Sequence, residues 1–172
     1  ENVKIDLFPD EVYVFTPKGR IMELPKGSTP VDFAYAVHTD VGNTCIACRV
    51  NRRLAPLSQA LESGATVEII TAPNTQPNPN WLNFVVTGKA RTHIRHALKQ
   101  QQREESVSLG KRLLSKALDN LGARFEDISM PRLQVLLKEY HQEESDDLLE
   151  DIGLGNRTAH VVARRLLSTE DS

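Results

Sequence analysis

Two patterns of apolar and polar positions divide this chain. Up to about residue 72 the apolar residues form short β-branched or aromatic runs punctuated by Gly and Pro; beyond about residue 80 they recur every three or four positions to the end. In the first part, DEVYVFTP (Asp10 to Pro17) reads as a strand, Lys18 and Gly19 as a tight turn, and RIMEL as the returning strand of a β-hairpin. PKGSTP then offers Ser28 or Thr29 as a helix cap and Pro30 for the first turn. The helix VDFAYAVH places Val31, Ala34, Tyr35 and His38 near one face, with Phe33 and Val37 beside them, and Gly42 follows Asp40 and Val41 as a turn residue. TCIACRVN is a third strand and ATVEIITA a fourth, with LAPLSQALESG as an irregular crossing segment between them. A hairpin, a helix and two more strands packed on it is the order of a ubiquitin-like roll, an α+β architecture.

The run PNTQPNPN, Pro73 to Asn80, holds three prolines and three asparagines and breaks helix and strand alike. The predicted organisation is therefore a first domain over residues 1–72, a linker over 73–80, and a small all-α domain over 81–172. The predicted helices are a basic one around Lys89 to Arg103, a second from Ser108 to Leu121 stopped by Gly122, a third after Pro131 through Tyr140, and a last pair, SDDLLEDIG and NRTAHVVARRLL. Leu109, Leu113, Leu114, Leu118 and Leu121 recur at helical spacing and supply that domain with a core.

Charge is nearly balanced over the chain, with 21 basic and 23 acidic residues, which argues against a whole-surface nucleic-acid binder. Locally it is segregated. Gly88 to Lys116 carries eight Lys or Arg against two Glu, and Ala117 to Asp151 carries three basic against ten acidic residues. Arg91, Arg95, Lys99 and Arg103 are spaced by four and form one helical stripe, suited to phosphate or to an acidic partner. The alternative is a solvated face paired with the acidic segment of the same domain. Two cysteines make no disulfide framework, and no leader or long uncharged apolar run marks secretion or a membrane span, so a cytoplasmic protein is expected. The chain opens at Glu1 in mid-phrase, and is expected to be a piece of a larger protein.

The chemistry-bearing positions are few. His38 ends an apolar helical run and faces four readings: metal ligand with Cys45 and Cys48, general base, capping or packed structural residue, or contact for a flat external group such as a nucleobase. One Cys-Ile-Ala-Cys pair is half a zinc site at best, and residues three apart in a strand point to opposite faces, so both cysteines read as buried thiols and no metal is expected. IGLGNRTA, Ile152 to Ala159, has the spacing of a helix-hairpin-helix, in which glycines let backbone N–H groups approach a phosphate; the plainer reading is a helix stopped by Gly153 and another capped by Asn156. No Ser-His-Asp set, Walker loop or zinc-protease motif is present, and no catalytic residue is assigned.

DEVYVFTPKGRIMELPKGSTPVDFAYAVHTDVGNTCIACRVN, continuing to SGATVEIITAPN, resembles the TGS domain, a β-grasp fold, and its combination with NPNWLNFVVTGKARTHIR and LLEDIGLGN resembles the regulatory half of RelA/SpoT proteins. DNLGARFEDI and GLGNRTAHVVARRLL look more like the bifunctional SpoT type. The resemblance implies a parent enzyme, both GTP pyrophosphokinase and (p)ppGpp 3′-pyrophosphohydrolase, whose Mn- and Mg-dependent domains are not in this sequence, so that no cofactor is assigned to it. For His38 it implies contact with the exposed CCA end of uncharged tRNA, in the setting of the ribosome, with Thr39 and Asp40 offering hydrogen bonds and Arg49, Arg52 and Arg53 holding phosphate or carboxylate. SpoT-type regions also imply acyl carrier protein or another small regulator as partner, for which the basic helix is the preferred surface. Two further expectations stand beside these: a purely intramolecular module that docks on the hydrolase and synthetase domains, and a TGS/helix-hairpin-helix nucleic-acid module of another translation protein.

Overall fold

The computed structural model describes residues 10–168, so the opening mid-phrase segment lies outside the described residues. The chain forms two compact units, residues 1–99 and 100–172.

In the first unit the hairpin is built as expected, with β1 (Glu11–Phe15) antiparallel to β2 (Ile21–Pro25) and Gly19 in the turn at φ +89. Thr29 caps α1 (Pro30–Val37): its hydroxyl accepts from the Asp32 N–H, and the Asp32 carboxylate accepts the Thr29 N–H in return, a reciprocal capping box. A second short helix, α2 (Thr39–Asn43), stands where a turn was expected. β3 (Cys45–Val50), β4 (Arg53–Ala55) and β5 (Val67–Thr71) form a sheet in the order β4-β3-β5. A parallel bridge from Phe15 to Thr66, with the Phe15 N–H donating to the Ala65 carbonyl at 2.8 Å, sets the first strand beside the segment entering the last. That is the β-grasp arrangement, and with the helical second unit it makes the chain α+β.

Two strand-level expectations and one turn differ from the structure. The crossing segment contains β4, because Asn51 (φ +53) and Arg52 (φ +70) make the two-residue left-handed turn that hairpins favour. Arg is an unusual occupant there; a left-handed non-glycine residue costs about 1 kcal/mol. Cys45 and Cys48 do not point to opposite faces: a register shift between Cys45 and Ala47 resets the alternation and both are buried, leaving Ile46 exposed. Gly42 is not a turn residue but lies inside α2, where a β-carbon would sit 2.4 Å from the Tyr35 ring.

The first unit does not end at the Pro/Asn-rich run. Trp81 and Val85, around a 3₁₀ turn over Pro79–Asn83, and Ala90 and Ile94, from α3 (Gly88–Asn120), form one buried cluster with Val31, Ala34, Tyr35 and Cys45. A large buried apolar side chain contributes about 1.5–3 kcal/mol, so this cover is worth several times a single contact. The buried Asp32 carboxylate fastens it, accepting from the Thr29 hydroxyl, the Val86 and Thr87 N–H groups and the Thr87 hydroxyl at 2.7–3.2 Å. Phe33 goes instead to a second cluster with Val12, Val14, Leu24, Leu61, Ala65 and Val67.

The second unit is all helical. The two helices expected over residues 89–121 are one, α3, because QQREESVSL contains nothing that breaks a helix; it ends where Gly122 takes φ +80 and the Ala123 N–H reaches back to the Leu118 carbonyl. α4 (Met130–Glu139), α5 (Ser145–Gly153) and α6 (Ala159–Ser168) follow. The buried stripe of α3 is Leu114, Ala117 and Leu118; Leu109, Leu113 and Leu121, expected in the core, are 37%, 41% and 39% exposed. The stripe turns toward α5 because Gly110 admits it there: a β-carbon on Gly110 would lie 1.8 Å from the Leu149 carbonyl oxygen, and one on Gly153 would lie 1.9 Å from that of Ser106. Gly153 therefore seats α5 on α3 rather than stopping α5, which closes through Gly155 at φ +83. Asn156 does not cap α6, whose first backbone bond runs from the Val162 N–H to the Thr158 carbonyl.

Candidate functional site

His38 is one residue shared by two helices. Its N–H donates to the Ala34 carbonyl and closes α1, while its own carbonyl accepts from Gly42 and opens α2. The imidazole caps α2, Nδ1 accepting the Asp40 N–H at 3.0 Å. Nδ1 also lies 3.7 Å from the Asp40 carboxylate; since Nδ1 is the acceptor for the closer N–H, the ring proton belongs on Nε2 and the longer contact is no ion pair. The side chain is 65% exposed and is held through Nδ1. Of the four readings at the sequence level, capping is observed; His38 is not part of the buried helix face, and neither is Val37.

The support beneath the ring is specific. Tyr35 is fully buried, donates its hydroxyl to Asn43 Oδ1 at 2.7 Å, and lies parallel to the His93 ring, centroids 6.1 Å apart. Gly42 lets α2 settle on Tyr35. His38 is thus fixed to the α1–α2 corner, and that corner to the Tyr35 ring. Tyr35, Asn43 and His93 were missed as its support. The signal available was Gly42, whose closeness to an aromatic ring seven residues upstream reads as packing only once the turn is recognised as a helix. Thr39 is half-buried and Asp40 exposed beside the ring, so the corner presents a flat ring, a donor and a carboxylate within three consecutive residues.

The three arginines do not form one site with it. Arg49 pairs across the sheet with Glu68 at 3.3 Å, and Arg49 and Arg52 line a depression of about 560 Å³ among whose lining residues His38 and Arg53 do not appear. Arg53 opens β4 and is exposed. The basic stripe is also divided. Arg91 donates to the Val85 carbonyl at 2.8 Å, Arg95 and Lys99 are exposed, and Arg103, in the second unit, holds Glu150 at 2.6 Å and Asp147 at 3.0 Å. For Arg103 the pairing with the acidic segment is what the structure contains; the guanidinium beside Asp147 holds that carboxyl below the usual range. Of the two glycines of the helix-hairpin-helix pattern, Gly153 packs its α-carbon against the Ser106 carbonyl, whereas a β-carbon on Gly155 would meet nothing within 4 Å.

Neither cysteine is poised for chemistry. Burial pushes the Cys45 thiol up to about 12 and also raises Cys48, whose Sγ donates to the Ala55 carbonyl at 3.2 Å. Among the described residues no group of three or more His, Cys, Asp or Glu is placed to hold a metal ion, and no helix is long and apolar enough to cross a membrane.

Comparison with known proteins places these units. Residues 12–71 match the TGS domain and residues 97–167 the RelA/SpoT AH domain. The chain is 57% identical over 171 residues to the guanosine-3′,5′-bis(diphosphate) 3′-pyrophosphohydrolase of Vibrio cholerae, covering 99% of this chain and 24% of that protein. It is 57% identical over 166 residues to the bifunctional (p)ppGpp synthase/hydrolase SpoT of Escherichia coli K12, covering 96% of this chain and 24% of that protein. With the bifunctional (p)ppGpp synthase/hydrolase RelA of Mycobacterium tuberculosis it shares 41% over 171 residues, 98% of this chain and 23% of that protein. The chain thus spans about a quarter of the length of the relatives it matches. A β-grasp unit carrying the TGS pattern, joined to a helical unit carrying the AH pattern, with identity running across both, means that this chain belongs to the RelA/SpoT family and comprises its TGS and AH regions.

Proposed function

We propose that this chain is the non-catalytic regulatory part of a (p)ppGpp synthetase/hydrolase, and that it senses starvation by binding the CCA end of uncharged tRNA at His38 and biasing the catalytic domains of its parent protein. The observation that carries this reading is the presentation of His38. An imidazole held at Nδ1 by the Asp40 N–H and 65% exposed is ordered in part before binding and accessible for stacking on an unpaired base, which lowers the side-chain entropy lost on binding. Recognition of the uncharged state follows from crowding at the terminal ribose, where an aminoacyl group competes for the space beside the ring. The coupling to catalysis is a difference in affinity of the tRNA for two states of the parent protein.

A second reading, acyl carrier protein as ligand, is favoured by one separate observation. Arg95 and Lys99 are exposed on α3 with no acidic partner among the described residues, as a strongly acidic protein would require. Calorimetry at fixed salt on two variants and two ligands separates the readings. With tRNA as ligand, His38→Ala weakens tRNA binding and Arg95→Glu/Lys99→Glu spares most of the base recognition. With acyl carrier protein as ligand, the charge reversal abolishes binding and His38→Ala changes little. Arg91 is left intact in both, because its guanidinium holds the Val85 carbonyl and its loss would disturb the fold.

A further inference from the structure

The depression that takes Arg49 and Arg52 away from His38 has a chemistry of its own. Its floor and rim are Phe15, Thr16, Pro17 and Gly19 from the end of β1 and the hairpin turn, Arg49 and Glu68 from facing positions of β3 and β5, and Asn51, Arg52 and Thr66 beside them. Its volume, about 560 Å³, is in the range of small-molecule sites. The charges in it are not equivalent. Arg49 is neutralised by Glu68 at 3.3 Å, whereas Arg52 has no acidic partner among the described residues. Asn51 spends its Oδ1 on the Thr66 N–H at 3.0 Å, which turns its amide nitrogen into a free donor.

The backbone adds an independent argument. Arg52 stands at φ +70, in the second position of a turn where glycine is the low-strain residue, so a long charged side chain is kept at conformational expense beside a cavity. Phe15 and Pro17 are the apolar side chains among the lining residues.

We infer that this depression is a second binding site, separate from His38, for a small organic phosphate of nucleotide size: Arg52 and the Asn51 amide hold the phosphate, Phe15 and Pro17 cover the flat organic part, and Glu68 accepts from a hydroxyl or ring N–H. The Arg49–Glu68 pair keeps the net charge low, which selects a ligand with one phosphate end over a long polyanion.

The test is a titration of the full 172-residue chain, followed by amide resonances, with a nucleoside 5′-monophosphate, the same nucleoside without phosphate, and inorganic phosphate. The nucleotide is expected to shift the Phe15, Arg52 and Thr66 amides saturably, inorganic phosphate to move only Asn51 and Arg52 and at least tenfold more weakly, and the nucleoside to move none of them. Arg52→Gly relieves the positive φ; it is expected to fold with a Tm no lower than the parent and to lose at least tenfold in nucleotide affinity, while Arg52→Lys retains part of it and His38→Ala retains all of it. Absence of saturable shifts at millimolar nucleotide, unchanged affinity in Arg52→Gly, or loss of the shifts in His38→Ala would each overturn the assignment.

Discussion

At the scale of single residues, His38 combines a structural and a recognition role that one substitution separates by magnitude. His38→Ala removes the side-chain cap of a five-residue helix, worth about 1 kcal/mol of stability, while loss of a base stack costs about 1–3 kcal/mol of RNA affinity, so the variant is expected to stay folded by circular dichroism and to bind uncharged tRNA more weakly. Asp32 is the opposite case, a polar residue with no recognition role and a large structural one. Its carboxylate serves donors from Thr29, Val86 and Thr87 while buried, and Asp32→Ala strands them; a loss of about 3 kcal/mol in urea denaturation is expected. Cys45 gives a pH signature. The folded state raises its thiol from an ordinary 9.0 to about 12, so the stabilisation from keeping it neutral is complete below about pH 9 and is lost as pH rises toward 12. Burial raises the Tyr35 hydroxyl in the same sense. Denaturation midpoints should therefore fall between pH 9 and 12, less steeply in Cys45→Ala, and Cys45 should react slowly with alkylating reagents at pH 8 until the protein unfolds.

At the scale of elements, two glycines fix the geometry that the function depends on. Gly42→Ala forces α2 off the Tyr35 ring; a cost of about 1–3 kcal/mol is expected, together with weaker tRNA binding, because the His38 corner moves with α2. Gly153→Ala gains helix propensity of at most about 1 kcal/mol yet meets the Ser106 carbonyl, and the clash wins, so thermal unfolding of the second unit is expected to shift downward with no change at His38. The elements legible in the sequence were those with local signals: the hairpin from its Lys-Gly turn, α1 from Thr29 and Pro30, the end of α3 from Gly122. β4 was hidden because its turn uses Asn51-Arg52 where glycine is the usual mark. The pairing of both cysteines on one face was hidden because a bulge defeats counting by two. The exposure of Leu109 and Leu113 was hidden because helical spacing admits either of two faces, and Gly110, which decides between them, carries no hydrophobic signal. For the candidate site, the position of His38 at a helix end was legible; its role as cap to a second helix, and the separation of Arg49 and Arg52 from it, depend on contacts among residues whose order in the chain does not imply them.

At the scale of the whole molecule, composition marked the Pro/Asn-rich run as a boundary, but tertiary burial overrides it: Trp81, Val85, Ala90 and Ile94 complete the core around Tyr35. The TGS match ends at residue 71, short of that cover. A chain ending at residue 72 is therefore expected to unfold at several kcal/mol lower stability than one ending at residue 99, as measured by urea denaturation. The assignment of synthesis and hydrolysis to other parts of the parent protein predicts that the purified 172-residue chain turns over no labelled (p)ppGpp or GTP, and that no substitution within it alters that background. Under the proposed function the chain distinguishes uncharged from aminoacylated tRNA through His38. The most direct measurement is the ratio of Kd values for one tRNA species in its aminoacylated and deacylated forms, taken for the parent chain and for His38→Ala at the same salt concentration. Deacylated tRNA is expected to bind the parent chain at least tenfold more tightly, with the ratio falling toward one in the variant as the deacylated form loses affinity; equal affinities in the parent, or a preference that survives in His38→Ala, would rule out this role for His38.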